Sequence, residues 1–408
     1  MSRINDLIAD LCPDGVPFRR LGDIGSFYGG LSGKSKDDFK DGNAVFITYM
    51  NVYSNIELKT DVEDRVRVGE KEKQHTVQYG DVLFTGSSET PDECGMSSVL
   101  TTHTDEKLYL NSFCFGYRFA DPDMFLPGFT KHLFRSDALR YQITRTASGV
   151  TRFNVSKKKM EDVTIPVPPI EVQREIVRVL DNFTELTAEL TAELTARKQQ
   201  YEYYRNTMIF DADYPLVELR SVVKHYCSGA TPKKGNSGFY NGGTIPWIRT
   251  QDVRFNEITE VDSYITEAAI EQTAAKWIPE NCVIVAISGA SAGRSAINKI
   301  RATTNQHCLN MEINPEKALY KYVYFCVCGR YDELLLRKQG ARGDLNSSLI
   351  LGITIPLPPI EKQREIVNTI DSFEALVNSI SDGIPAEIEA RQQQYRYYRD
   401  KLLSFKEA

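Results

Sequence analysis

Apolar positions along this chain follow two different periods. From residue 170 they fall three and four apart: Ile170, Ile176, Leu180 and Phe183, with Gln173 and Thr187 in the same stripe, then Leu190, Leu194, Tyr201, Tyr204 and Met208. That period belongs to a helix. About 40 residues of it make a rod about 60 Å long. The pattern returns from Ile360 to roughly Phe405. A stripe this long cannot be buried by its own helix, and the second copy is its natural partner. Gly383-Ile384-Pro385 predicts a kink or break in that second copy. Elsewhere the apolar runs are short and bounded by Gly, Asn and Ser, which predicts strands and loops.

The helical stretches are near-copies. Thr164–Val177 (TIPVPPIEVQREIV) and Thr354–Val367 (TIPLPPIEKQREIV) match at twelve of fourteen positions, 190 apart. Ala196–Arg205 (ARKQQYEYYR) and Ala390–Arg399 (ARQQQYRYYR) match 194 apart, so the second copy is longer by four residues. Repeats of this length dictate architecture. Each starts as a strand-like Thr-Ile-Pro followed by Pro-Pro, a pair suited to a helix start and excluded from its interior. The first copy also carries a four-residue unit, Thr187-Ala-Glu-Leu190 then Thr191-Ala-Glu-Leu194, with Phe183-Thr-Glu-Leu186 as a looser version. One unit adds about 6 Å of helix and rotates the downstream residues by only about 40°. The segment is either a ruler of adjustable length or a simple low-complexity helix.

Removing the helices leaves two diverged relatives. Val16–Leu21 echoes Tyr214–Leu219, Phe46–Val52 echoes Trp247–Val253, and Gly80–Phe84 echoes Asn281–Val285. Asn111-x-x-Cys114 echoes Asn305-x-x-Cys308. The expected organisation is α+β: a sheet-rich globular domain at 1–163, a long helix at 164–212, a second sheet-rich domain at 213–353 and a second long helix at 354–408. Equal helices holding unequal domains suit an asymmetric target with two half-sites, whereas a homodimer favours a palindrome.

Composition narrows the function. The chain has 408 residues, 41% hydrophobic and 25% charged, as expected of soluble globular protein in several domains. No apolar run is long enough to span a membrane, and the first residues lack the pattern of a secretory signal. The eight scattered cysteines and five histidines make no zinc-ligand spacing, so reduced buried thiols and a cytoplasmic location are expected. The net charge of −6 weighs against nucleic acid, but the cations are clustered. Tyr141–Met160 holds Arg145, Arg152, Lys157, Lys158 and Lys159 with no acid, and Leu219–Arg254 holds six cations against Asp252 alone. Such runs are either solvated surface or a local footprint for DNA.

Catalytic motifs are missing. There is no phosphate-binding Gly-x-x-x-x-Gly-Lys-Ser/Thr loop, no Gly-x-Ser-x-Gly and no His-Glu-x-x-His. The Asn/Asp-Pro-Pro-Tyr of an amino-methyltransferase is also missing. Binding without catalysis is the stronger reading.

Two Pro-x-Pro-Pro-Ile-Glu-x-Gln-Arg-Glu-Ile-Val helix starts, two Tyr-x-Tyr-Tyr-Arg tails and the alternation of domain and helix resemble the specificity subunit of type I restriction–modification systems, over essentially the whole chain. The Thr-Ala-Glu-Leu repeat resembles the class IC group. Ser228-Gly-Ala-Thr-Pro232, Ile245-Pro-Trp-Ile248 and Ser288–Gly293 resemble the same family, while Gly29–Gly33 departs from it in having no Thr-Pro. The resemblance implies two target-recognition domains, each reading half of a gapped site in double-stranded DNA. It implies helices paired as an antiparallel coiled coil that sets the spacing and docks two methyltransferase subunits. Those partners would use S-adenosylmethionine to methylate adenine, and restriction subunits with ATP- and Mg-dependent translocase and nuclease activity would join them. The chain itself would carry no cofactor or metal. A coiled-coil scaffold that reads no DNA is the alternative.

Base edges are read by Arg, Lys, Asn, Gln, Ser and Thr on loops that enter a groove, and phosphates by cations and amides. In the first domain these are Lys34, Lys36, Tyr49, Asn51, Ser87, Ser88, Arg145, Arg152 and Asn154. In the second they are Thr231, Lys233, Lys234, Arg249, Gln251, Arg254, Ser288, Arg294, Lys338, Arg342 and Asn346. For partner docking the candidates are Gln173, Arg174, Tyr201 and Tyr204, with Gln363, Arg364, Tyr395 and Tyr398 in the second copy. The tyrosines serve either core packing or an interface.

Overall fold

A computed structural model describes residues 2–211, 213–339 and 344–408. The chain divides into two units, Met1–Thr191 with Ile384–Ala408, and Ala192–Gly383. Each unit thus combines one sheet-rich domain with the first part of its own long helix and the tail of the other copy.

The echoes noted in the sequence become one topology used twice. In the first unit Gly25–Gly29, Cys114–Phe119, Val82–Thr85 and Ser97–Val99 form an antiparallel sheet in that order. A second sheet runs Arg65–Val66, Ala44–Ile47, Leu108–Leu110, Thr76–Val77, with the middle two parallel. In the second unit Val223–Ser228, Cys308–Ile313, Val283–Ala286, Ser295–Asn298 and Asn256–Ile258 form the first sheet. Tyr264–Ile265, Ile245–Ile248, Ala302–Thr304 and Trp277–Ile278 form the second, again with a parallel central pair. Val82–Thr85 and Val283–Ala286 are buried on both faces, which explains their unbroken apolar runs. The Thr-Ile-Pro segments are strands, as their pattern predicts, and they pair with the globular domains: Thr164–Pro166 with Phe18–Arg20, and Thr354–Pro356 with Leu216–Glu218.

The first long helix is continuous over Ile170–Phe210. The second copy is broken into Ile360–Ser381 and Gly383–Leu402. The longer copy is therefore the interrupted one, at the Gly-Ile-Pro where a break was expected. In the first unit Val172, Ile176 and Leu180 are fully buried, and Leu402 and Leu403 of the second copy's tail share their core. Phe183 stacks on Tyr398 at 5.4 Å between centroids. In the second unit the roles reverse. Ile366 and Ile370 start the helix in that core and Ile209 ends the other helix in it. Tyr201 and Tyr204 lie against Phe373.

One difference between the units bears on the helix starts. The N-terminal helix Ser2–Leu11 puts Ile4, Leu7 and Ile8 into the core that holds Val172 and Val179, and Arg3 approaches Glu175 at 3.8 Å. Among the described residues the second unit has no such helix. There Lys362, Glu365 and Thr369 occupy the corresponding positions and are exposed. Val172 against Lys362, one of only two differences in the fourteen-residue repeat, follows this covering.

Candidate nucleic-acid interface

In the first unit Ser87–Ser88 pairs with Phe153–Val155, and Ala147–Ser148 adds a third strand. This small sheet gathers Ser87, Ser88, Arg152 and Asn154 from segments far apart in sequence. The Tyr49 hydroxyl donates to the Ser87 carbonyl at 2.8 Å, and Arg152 Nε donates to Ser87 Oγ at 3.1 Å. Tyr49, Ser87, Ser88, Phe113, Thr151 and Arg152 line an open cleft of about 400 Å³, with Glu89 and Glu93 at its edge. Hydrogen bonds from Thr90, Tyr53 and Ser88 hold the Glu93 carboxyl below its usual range, so it is ionised. An anion here disfavours phosphate but can accept from a cytosine amino group. Arg145 packs on Tyr141 at the surface, its guanidinium donating to that hydroxyl at 2.7 Å.

Five nominated first-domain residues do not line this cleft: Arg145, Asn154, Lys34, Lys36 and Asn51. The Lys34 side chain is covered, with its ammonium on Glu72 at 2.5 Å and on the Arg67 carbonyl at 2.6 Å. Asn51 is buried and braces its own loop, donating to the Lys59 carbonyl at 2.8 Å and accepting from the Lys59 amide at 3.2 Å. Both side chains are engaged in contacts that hold the fold. Lys36 is exposed on the short helix after Lys34.

In the second unit Lys233, Lys234, Gln251 and Arg254 are exposed, while Thr231, Ser288, Arg294, Arg249 and Lys338 are partly covered. Thr231 Oγ1 donates to Gln306 Oε1. Among the described residues Arg249 Nε is buried without a hydrogen-bond partner. Asn346 caps the short helix Ser347–Leu351, accepting from Leu349 N at 3.0 Å, so its role is local. Arg342 lies outside the described residues.

The docking candidates separate sharply. Gln173 and Gln363 are fully buried, which corrects their assignment as partner contacts. Gln173 accepts from Leu126 N at 2.9 Å and donates to the Pro168 and Met124 carbonyls. Gln363 repeats this with Leu319 N at 2.9 Å and the Pro358 and Lys317 carbonyls. Each fastens a helix start to its domain by satisfying one proline carbonyl and two backbone groups of the domain. Arg174 and Arg364 are exposed. Tyr201, Tyr395 and Tyr398 pack inward, Tyr395 accepting or donating at 2.9 Å with His132, whereas Tyr204 touches Phe373 and is still exposed. The rings turned furthest outward are Tyr203 and Tyr397, 66% and 60% exposed.

A repeated ion cluster escaped the sequence reading. Lys131 lies 3.0 Å from both Glu57 and Asp181. Lys321 lies 3.1 Å from Glu257 and 3.0 Å from Asp371. Burial works against each ammonium, but the two carboxylates outweigh it and raise both lysines above their ordinary value. In each unit the cluster joins a loop or strand of the globular domain to the first part of its helix. It fixes how the segments that adjoin residues 57 and 257 stand on that helix.

Among the described residues no cluster of His, Cys, Asp or Glu could hold a metal ion, and no helix is long and apolar enough to cross a membrane.

Residues 13–197 and 212–390 match the family described as type I restriction modification DNA specificity domain. The chain is similar to the EcoR124I/EcoR124II specificity subunit of Escherichia coli, 38% identical over 265 residues. That alignment covers 62% of this chain and 64% of the relative, so the chain spans just under two thirds of its length. It is also similar to a putative type I specificity subunit of Haemophilus influenzae, 31% identical over 63% of this chain and 68% of that one. A chain from a solved structure of a type I R-M system, determined for its complex assembly and conformational transition, shares the fold with a TM-score of 0.59. It is 18% identical and the superposition covers 96% of this chain and 98% of that one. With the family matched over both domains and both helix starts, the chain belongs to the type I restriction–modification specificity subunits.

Proposed function

We propose that this chain is the non-catalytic, sequence-specific DNA-binding subunit of a type I restriction–modification complex in the cytoplasm. Each globular domain reads one half of a gapped, asymmetric site. The paired helices, running antiparallel, set the gap and dock two methyltransferase subunits through outward groups such as Tyr203, Tyr397, Arg174 and Arg364. S-adenosylmethionine binds to those partners, and ATP and Mg to the restriction subunits that join them.

One observation carries this reading: the same topology is built twice, while the side chains on corresponding exposed loops differ. A pure scaffold has no need of unequal loops on equal frames. Two frames reading different bases do. The local cations of the second domain, Lys233, Lys234, Arg249 and Arg254, supply the phosphate contacts that an overall charge of −6 would otherwise oppose.

The test is a titration of the chain, together with its methyltransferase partner, against random duplexes at low and high salt. Binding that weakens steeply with salt is expected. Salt-insensitive or absent binding would favour a scaffold. Methyl transfer from S-adenosylmethionine to DNA by this chain alone would contradict the non-catalytic assignment.

A further inference from the structure

Each unit carries one tight turn built the same way down to its hydrogen bonds. In the first unit it joins Leu108–Leu110 to Cys114–Phe119. The Asn111 amide donates to the Ile47 carbonyl at 2.9 Å, and Asn111 Oδ1 accepts from Phe113 N at 2.8 Å. Cys114 N donates to the Asn111 carbonyl at 3.0 Å, and Gly86 N to the Phe113 carbonyl at 2.7 Å. In the second unit Asn305, His307, Cys308, Ile248 and Ile287 repeat all four bonds, at 2.9, 3.0, 3.2 and 2.8 Å. A neighbouring strand end presses close against both turns. A Cβ on Gly30 would stand 2.1 Å from the Asn111 carbonyl oxygen, and one on Gly229 would stand 1.9 Å from that of Thr304. The pedestal is therefore fixed from several sides and leaves little room for backbone change.

The pedestals agree and their tips do not. Ser112 and Phe113 are exposed in one unit, Gln306 and His307 in the other, and Phe113 is 57% exposed, a large apolar ring facing water. The tips also stand among the candidate readers. Phe113 lines the cleft with Ser87 and Arg152, whose guanidinium sits 5.4 Å from the ring. Gln306 is braced by Thr231 on one side and by the His307 ring, 3.2 Å away, on the other. Burial pushes the flanking thiols of Cys114 and Cys308 up to about 12, so they are inert packing at the turn's foot.

We propose that the two tip residues of each turn are specificity-determining base readers: Ser112 and Phe113 for a step containing thymine, whose methyl suits an apolar ring, and Gln306 and His307 for a purine edge. A rigid frame that changes only its terminal side chains alters which base it prefers without altering where it reaches. An amide or imidazole matches the N7 and exocyclic groups of purines, and an aromatic ring matches the thymine methyl. The inference rests on the DNA-reading function proposed above.

The test uses the full chain in complex with its methyltransferase partner and a duplex pool randomised through both half-sites. Four proteins are compared: the native chain, S112Q/F113H, Q306S/H307F and F113A. Each exchange should change base preference at one or two adjacent positions in one half-site, leaving the other half-site and the gap as they were. F113A should lose about five- to tenfold discrimination against non-thymine bases at that position. The untouched half-site reports folding and assembly within the same molecule. Unchanged motifs with unchanged affinity, or affinity lost equally for all sequences, would overturn the assignment of the tips. A native complex that selects no motif would instead overturn the parent reading.

Discussion

At the scale of single residues, the repeated lysine clusters explain how each globular domain is held on its helix. Lys131 is 9% exposed at its side chain, between two carboxylates. Lys131→Met removes the cation and leaves Glu57 and Asp181 facing each other. We expect a loss of about 1–3 kcal/mol, measured by denaturant unfolding, and a similar loss for Lys321→Met. Equal stability of either variant would contradict this role. Next to Lys131, the His132 ring is fully buried between Asp181 and Tyr395, with Lys131 and Arg399 also near it. Burial holds its pKa below the ordinary value, outweighing Asp181. In the unfolded chain that value returns to about 6.5, so acidification favours unfolding below that pH. Asp181 is held low by His132 and Lys131 against the effect of burial, and adds the same sign of dependence at lower pH. The second unit has Tyr322 in place of His132. Amide exchange protection across Pro127–Leu133 should therefore fall more between pH 7.5 and 5.5 than across Tyr320–Gly329. Parallel changes would refute it.

These clusters show what the sequence offers and what it hides. Lys131 and Lys321, like Asp181 and Asp371, stand 190 apart, the same offset as the helix starts, so a residue-by-residue comparison of the repeats could have raised them. Glu57 and Glu257 stand 200 apart because the domains have gained and lost loops, and that breaks the signal. Gln173 and Gln363 failed in the opposite way. A polar residue inside an apolar stripe reads as a docking group, yet here a buried side-chain amide satisfies a proline carbonyl at the helix start and two backbone groups of the domain.

At the scale of elements, the long helices and the break at Gly383 follow from periodicity and from Gly-Ile-Pro. The N-terminal helix does not, because ten amphipathic residues declare nothing about which surface they cover. Its consequence is testable. Val172→Lys places an ammonium where a fully buried valine packs, and should cost about 2–4 kcal/mol. Lys362→Val, on the uncovered face, should change stability by less than about 0.5 kcal/mol. Equal effects in denaturant unfolding would show that the two faces are equivalent after all. The ruler segment has a structural counterpart: Thr187 Oγ1 donates to the Phe183 carbonyl at 2.8 Å and Thr191 Oγ1 to the Thr187 carbonyl at 2.7 Å, so each unit closes on the one before. Deleting Thr187–Leu190 removes about 6 Å of helix, and should shorten the preferred gap by one or two base pairs at about 3.4 Å each. Unchanged spacing with retained binding would sink the ruler.

At the scale of the whole molecule, duplication is the organising fact. Each helix starts in the core of one unit and ends in the core of the other, so neither domain is complete without the other's helix. That exchange was not legible from the repeats, which give two similar segments but not the unit that each tail enters. The side chains proposed to reach DNA are brought together only in part. Tyr49, Ser87, Ser88 and Arg152 converge on one cleft, while the turn tips differ between the repeats, so only the Asn and Cys of the frame beneath them are visible in the sequence.

The central claim is that two unequal domains on matched helices read two halves of one gapped site. Single-molecule methylome sequencing of cells expressing this chain with its methyltransferase partner tests it most directly. The account predicts adenine methylation at an asymmetric bipartite motif with a fixed gap, whose two halves change independently when either domain is altered. An uninterrupted or palindromic motif, or no new motif beside an active methyltransferase, would contradict it.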